Sequence, residues 1–396
     1  MTDKPYCNAP WIGLAYESSV GCKPCCEYND GKESGTAFNG RYTDYIKSDY
    51  LKDFKKLMYK DEMHHNCIEC IEKEKIDTHW GSRRQRFMKY DIDGGYVRLD
   101  FRAGDKCNMK CRMCGTGASS LWRDEDLEQG QNNYGQSIEH LKNLSIPLKN
   151  VYENKHIDTS DVYDIDFSKL TKIMILGGEP SIDLKVRRFI NSVKDLDCPI
   201  GITTNASNAS DKWFNTLKQI KRLELDLSID ATGKYQDYQR TGSDWSVIKK
   251  NVIKYRDTFK TDANNINVTA TAMNFPVLHE WWDEMMSLDI QTFFSKCHHP
   301  EVMSLDVIPN EYKEYQIAWL KHWIDKEFER PRDRSATIQN AGRIASAKHA
   351  IGILKNSEYK PEWRERFIKH INYLDSIRGT NIRDLHGIFE EIMNEG

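Results

Sequence analysis

No run of about 18 apolar residues occurs in the chain, so the sequence offers no candidate membrane-spanning helix. Its start lacks a basic segment followed by an apolar one, which argues against export and leads to the expectation of a cytoplasmic protein. An excess of one charge is also lacking. The 57 lysines and arginines face 60 aspartates and glutamates, and a net charge of −3 gives no electrostatic platform for nucleic acid. Internal repeats and low-complexity runs are missing as well. A hydrophobic content of 39% fills a core, while 30% charge and a mean hydropathy of −0.71 argue for solubility. With 396 residues the chain is long enough for roughly two or three domains.

Cysteine, by contrast, is plentiful. There are 11, and in a chain without an export signal they point to metal binding rather than disulfides. Nine of them fall within the first 114 residues. The decisive group is Cys107-Asn-Met-Lys-Cys111-Arg-Met-Cys114, which follows a predicted strand, Tyr96 to Arg102, and a loop, Ala103 to Lys106. A structural zinc site closes its sphere with four ligands. A four-iron cluster held by three cysteines leaves one iron open to a small chelating ligand.

Further strands follow. Lys172 to Leu176 is an apolar run that ends in Gly177-Gly178-Glu179-Pro180. The glycines let backbone come close to a ligand, and the glutamate offers an acceptor; alone, the segment reads as a turn. Pro199 to Thr204 runs into Asn205-Ala206-Ser207, Arg222 to Asp230 alternates and ends in polar residues, and Ile266 to Met273 ends at Asn274. A sixth strand lies in Gln291 to Ser295 or in Ser304 to Ile308. Helical segments are expected over Leu184 to Asp195, Asp211 to Ile220, Trp245 to Thr258 and Val277 to Met286. Such alternation predicts an α/β fold with a parallel sheet whose strand C-terminal ends share one mouth.

The CxxxCxxC, GGEP, Thr203-Thr204-Asn205 and Ser228-Ile229-Asp230 segments together resemble the radical S-adenosylmethionine (SAM) superfamily. The resemblance implies a partial (β/α)6 barrel and a [4Fe-4S] cluster on Cys107, Cys111 and Cys114, with SAM as the chelating ligand. It also implies that Gly177 to Pro180 receive the SAM amino group, with Thr204 and Asn205 near its ribose and methionine. Ser228 and Asp230 would reach the ribose hydroxyls and the methionyl head, and Met113 would pack on the adenine. Asn274 falls at the same ligand end. Arg240 is a candidate for the SAM carboxylate, its other reading being a surface arginine before a helix.

Six cysteines precede this loop: Cys7, Cys22, Cys25, Cys26, Cys67 and Cys70. Four ligands from three separated segments suit zinc or a second iron–sulfur cluster, and spacing alone does not separate the two. Tyr6-Cys7-Asn-Ala-Pro-Trp11, Lys23-Pro-Cys25-Cys26 and Cys67-Ile-Glu-Cys70 resemble the half-SPASM, or twitch, domain of one radical SAM subgroup. That resemblance implies an auxiliary [4Fe-4S] cluster on Cys7, Cys25, Cys67 and Cys70, with Cys26 as substitute for Cys25 and Cys22 as a non-ligand.

The expected organisation is a cysteine-rich domain over 1–90, a radical SAM partial barrel over 91–309 and a helical region over 310–396, with helices in Tyr312 to Phe328 and Trp363 to Ile377. Gly81 to Phe87 reads as a basic connector, and Leu121 to Lys169 as a polar insertion. Cys198 reads as an inert thiol; Cys297-His298-His299 follows the last strand, where adjacent histidines point apart and argue against a joint metal site, leaving one of the three as a candidate substrate contact. The family reading implies an oxidoreductase-like enzyme that takes electrons from a flavodoxin- or ferredoxin-type donor. It would remove a hydrogen atom from a peptide or protein side chain. The alternatives are a nucleotide, sugar or small metabolite as substrate, and more remotely a zinc-stabilised binding protein.

Overall fold

Short β-branched and aliphatic runs become strands where both sheet faces are covered, as in Lys172-Ile-Met-Ile-Leu176, whose three central residues are buried. The computed structural model describes residues 6–28, 37–60, 64–75, 81–259, 264–288, 290–297, 300–329 and 334–394. Its strands are β1 (Gly13–Glu17), β2 (Gly21–Lys23), β3 (Arg98–Arg102), β4 (Lys172–Leu176), β5 (Ile200–Thr204), β6 (Leu223–Ser228), β7 (Asn264–Ala270) and β8 (Gln291–Lys296). They follow the order β2-β1-β3-β4-β5-β6-β7-β8. β1 runs antiparallel to β2 and parallel to β3. The pairs β3/β4, β4/β5 and β7/β8 are also parallel. The result is a mixed α/β protein with a mostly parallel sheet.

The chain divides into two compact units. The first comprises Met1–Asn108, Gly115–Thr204 and Asn208–Leu225. In it, the helix Leu184–Val193 buries Val186, Phe189, Ile190 and Val193, and Phe189 meets Phe101 of β3 at 4.5 Å between ring centroids. Asp183 caps this helix by accepting from the Lys185 N–H, and Ser210 caps Asp211–Leu217 in the same way. A separate apolar cluster of Ile12, Tyr28, Phe54, Met58, Phe87 and Val97 surrounds Cys7.

The second unit comprises Met109–Cys114, Asn205–Ser207 and Asp226–Gly396. Its core holds Trp281, Trp282 and Phe294, with Trp282 stacked on Phe294 at 5.4 Å. The helices Asn310–Glu329, Arg334–Lys355 and Pro361–Arg378 complete it. Among the described residues, no helix is long and apolar enough to cross a membrane.

β3 to β8 correspond to the six strands expected from sequence, and Gln291–Lys296 is the sixth. The Ser304 to Ile308 alternative holds only the 3-10 turn Leu305–Val307, capped by Ser304. β1 and β2 were not anticipated. They come from within the stretch expected to form a separate cysteine-rich domain, yet Gly13 to Glu17 pair in register with Arg98 to Arg102. The helix Arg334–Lys355 lies within the expected helical region without having been delimited there, and the polar insertion proves to contain the helices Ser120–Gln129, Ile138–Leu144 and Ile146–Tyr152.

At the ends of β1, β2 and β3, Glu17 meets Lys23 at 2.7 Å and Arg102 at 3.7 Å. Burial alone would raise the Glu17 carboxyl, but Lys23 and then Arg102 outweigh it and hold it at about 2. Because the folded value lies below the ordinary 4.5, this stabilisation is fully present above 4.5 and is lost as pH falls through about 2. Glu17→Gln should therefore lower the melting temperature at neutral pH and shrink the acid-induced loss of stability in that window, as read by circular dichroism melts.

Candidate functional site

Adjacent parallel strands deliver their following loops side by side, and in the first unit three sequence motifs meet this way. The Gly178 N–H donates to the Gly104 carbonyl at 3.1 Å, and the Glu179 N–H donates to the Lys106 carbonyl at 2.8 Å. The loop leading into Cys107 is thereby fastened to the GGEP loop. A Cβ on Gly178 would stand 2.2 Å from the Lys106 oxygen and 2.5 Å from that of Asp105, and Gly177 has φ +146°. The glycine pair, read from sequence as room for a ligand, serves here to let two backbones touch.

Glu179 is buried, and its Oε1 accepts from the Thr204 hydroxyl at 2.7 Å and from the Ser181 N–H at 3.0 Å. Pro180 opens the 3-10 turn Pro180–Ile182. Cys107 is half-buried, and its N–H lies 3.5 Å from the Ser120 hydroxyl. Beside it, Asp105 pairs with Arg123 at 2.8 Å and with His156 at 3.4 Å.

The second unit gathers another set. Residues 110–112 run alongside 239–241, with the Lys110 N–H donating to the Thr241 carbonyl at 2.9 Å and the Arg112 N–H to that of Gln239 at 2.8 Å. Cys111 is buried, whereas Cys114 and Met113 are half-buried. The hydrogen bond that Cys111 shares with Cys114, and then burial, push the Cys111 thiol well above its usual range, against the pull of Arg240. Arg240 donates from Nε to Asp230 Oδ2 at 2.6 Å, and its Nη1 lies 3.9 Å from Cys111 Sγ. Burial would discharge this guanidinium, but Asp230 and Cys111 more than offset it.

Asp230 Oδ1 accepts from the Thr269 N–H at 2.7 Å, and Asn274 Nδ2 bridges the carbonyls of Asp230 and Thr269 at 3.0 and 2.8 Å. Asn274 thus braces the ends of β6 and β7. Asp230 and Arg240, expected to reach different parts of one ligand, are brought to each other. Ser228 is the last residue of β6. After β5, Asn205 Oδ1 accepts from the Ser207 N–H at 2.9 Å, and the intervening Ala206 sits in the left-handed region at φ +58°. Backbone strain of this kind in a non-glycine residue costs of order 1–3 kcal/mol.

The N-terminal cysteines also converge. Cys7, Cys25, Cys67 and Cys70 line one pocket with Tyr6, Ala9, Pro10, Pro24, Glu27, Tyr28, Phe54, Met58, Arg83, Arg84 and Phe87. Cys26 stands outside this lining, and Cys22 is buried in β2, where its backbone pairs with Phe38. Burial pushes Cys7 up to about 11 and Cys67 up to about 12, so filling the pocket with a metal or cluster would release protons.

Of the residues lining this pocket, Arg83 keeps a buried Nε without a hydrogen-bond partner. An unpaired guanidinium donor beside four thiols fits an anionic sulfur-rich group. Among the described residues, no three His, Cys, Asp or Glu side chains close on a single metal ion. A cubane spreads its ligands over four irons and so holds their sulfurs farther apart than one ion does.

No family model and no curated protein matches the sequence. Among solved structures, Streptococcus suis SuiB bound to S-adenosylmethionine is 16% identical, covering 57% of this chain and 45% of SuiB at a TM-score of 0.37. SuiB bound to the precursor peptide SuiA is 15% identical over 69% of this chain and 60% of SuiB, also at 0.37. TYW1 with a lysine-pyruvate adduct bound is 12% identical over 56% of this chain and 69% of TYW1, at 0.32. The chain thus spans about half to three-fifths of SuiB. Likeness so remote assigns neither ligand nor substrate.

Sequence reasoning took Arg83 and Arg84 for a solvated connector. They belong to the helix Arg83–Phe87, closed by a Ser82/Gln85 capping box, and they wall the cysteine pocket. Arg84 also pairs with Glu74 and lies over the Tyr6 ring at 4.8 Å. The Ser82-x-x-Gln85 signature was the cue for this helix. Cys198 and Cys297 are buried, while His298 and His299 lie outside the described residues.

Gly178→Ala tests the loop contact directly. Overpacking against fixed carbonyls should cost about 1–3 kcal/mol. It should lower the melting temperature, as read by circular dichroism.

Proposed function

We propose that the chain is a radical SAM enzyme, with Cys107, Cys111 and Cys114 holding a [4Fe-4S] cluster that leaves one iron for SAM. The observation that carries this reading is the fastening of the Cys107 loop to Gly178 and Glu179 at the ends of β3 and β4, with Thr204 of β5 on the Glu179 carboxylate. When bound and reduced, such a cluster supplies the electron that splits SAM into methionine and a 5′-deoxyadenosyl radical, which takes a hydrogen atom from substrate.

The chain's own task is placement. Gly177 to Pro180 present backbone and carboxylate to the amino end of SAM; Thr204, Asn205, Ser228 and Asp230 serve its ribose and methionyl parts, and Met113 its adenine. Arg240, held by Asp230, brings positive charge to the Cys111 sulfur. In this reading β3 to β8 are the strands of a six-stranded partial barrel. Residues 1–90, 91–309 and 310–396 are the cysteine-rich, barrel and helical regions.

The pocket of Cys7, Cys25, Cys67 and Cys70 takes an auxiliary [4Fe-4S] cluster, its full complement of thiolates suiting electron transfer to or from the substrate radical. A flavodoxin- or ferredoxin-type protein is the electron donor, and the setting is cytoplasmic. The substrate class we favour is a peptide or protein side chain, on the resemblance of the N-terminal segments to twitch domains.

Anaerobically purified protein with SAM and a strong reductant should yield 5′-deoxyadenosine, and Cys111→Ser should abolish it. A colourless protein carrying zinc without iron or sulfide, and inert toward SAM, would replace this reading by a zinc-stabilised binding protein. Deuterium passing into 5′-deoxyadenosine from a labelled metabolite pool, and not from peptides, would move the substrate to the small-molecule class. At the N-terminal pocket, Cys25→Ser should reduce iron and sulfide to the content of the three-cysteine loop alone, whereas Cys26→Ser should leave both unchanged.

A further inference from the structure

The cysteine loop is held from behind by the end of the helix Pro361–Arg378, all within the second unit. Arg112, next to Cys111, is fully buried. Its guanidinium lies over the Tyr238 ring at 3.7 Å, donates from Nε to the Tyr238 carbonyl at 3.0 Å and meets Asp375 Oδ1 at 2.9 Å. Asp375 is the hub of this arrangement. Its Oδ1 also accepts from the Tyr238 hydroxyl at 2.9 Å and the Thr380 hydroxyl at 2.6 Å, and its Oδ2 accepts from the Ile382 N–H at 2.9 Å. Thr380 in turn accepts from Arg112 Nη2 at 2.7 Å. Three residues on, Arg378 donates to the Lys110 carbonyl at 3.1 Å.

A buried arginine–carboxylate pair is poor evidence for stability, because desolvation offsets most of the attraction. Convergence of four donors on one carboxylate does something else: it leaves the guanidinium one position. With the Arg112 side chain fixed and its N–H bonded to Gln239, the backbone that presents Cys111 cannot swing. We propose that Asp375 is a positioning residue for the Cys111–Cys114 limb, acting through Arg112 and Tyr238 to set where the two thiols stand. This rests on the reading that those thiols hold a cluster.

The test uses full-length, anaerobically loaded protein and follows the SAM-responsive part of its electron paramagnetic resonance spectrum, which reports the three-cysteine cluster alone. Asp375→Asn keeps the shape but puts an amide where four donors converge. It should alter that signal and speed its loss to a ferrous-iron chelator on the order of tenfold, the effect of losing one charge-assisted hydrogen bond. Arg364→Ala serves as control. It cuts the ties of the same helix to the carbonyls of Glu391, Ile392 and Asn394, and should lower the melting temperature while leaving signal and release rate unchanged.

Should Asp375→Asn fail to fold, Thr380→Val removes the hydroxyl that joins Arg112 to Asp375 and must show the same two changes. Wild-type spectrum and rate in the folded Asp375 or Thr380 variant would overturn the proposal. So would equal acceleration by Arg364→Ala. A wild-type protein with no SAM-responsive signal would bring down the cluster reading and this proposal together, whereas a normal wild-type signal beside an indifferent Asp375→Asn sinks the proposal alone.

Discussion

Two backbone hydrogen bonds set the arrangement of the first unit's loops: the N–H groups of Gly178 and Glu179 bonded to the carbonyls of Gly104 and Lys106. Neighbouring strands lie about 4.8 Å apart, and loops leaving them ordinarily diverge. Here the loops stay joined for another turn, which is possible only because residue 178 has no side chain. From that contact follow the location of Cys107 at the edge of the GGEP turn and the burial of Glu179 where Thr204 of the next strand reaches it. The glutamate is consequently held by chain atoms before any ligand is considered.

The second unit relies on buried charge instead. Asp230 with Arg240, and Asp375 with Arg112, are both shielded from water, and each carboxylate takes additional donors from backbone or hydroxyl groups. Removing one member of such a pair typically costs about 3–5 kcal/mol, because the other is left charged and unmatched. Arg240 also bears on the Cys111 sulfur, since nearby positive charge favours the ionised thiol. The aromatic face of Tyr238 adds a further favourable surface for Arg112.

Much of this was legible in the sequence where one local signal dominated. The apolar run of β4 and the helix Trp245–Thr258 have the bounds that periodicity assigns them. Cys7, Cys25, Cys67 and Cys70 were named from the resemblance to twitch segments rather than from spacing, and all four line one pocket. Gly13-Leu-Ala-Tyr-Glu17 escaped notice because five residues amid cysteines show no period, and its strand character comes from pairing with β3. The roles of Asp375 and Asn274 depend on partners far along the chain, and no local pattern encodes them. Arg240 was singled out for its chemistry. Only the fold reveals that Asp230 occupies its Nε.

The crossover between β1 and β3 carries a consequence for how the chain matures. β1 leaves the ribosome well before the strand it pairs with, and Cys22, Cys25, Cys26, Cys67 and Cys70 all lie in the intervening segment. Bringing Gly13 back to Arg98 is a long-range closure whose entropic cost grows with the chain in between. Until it happens, β3 presents an open margin to any neighbouring polypeptide. The pocket that draws Cys7 toward Cys67 and Cys70 also shortens that journey, so forming the pocket and completing the sheet favour one another.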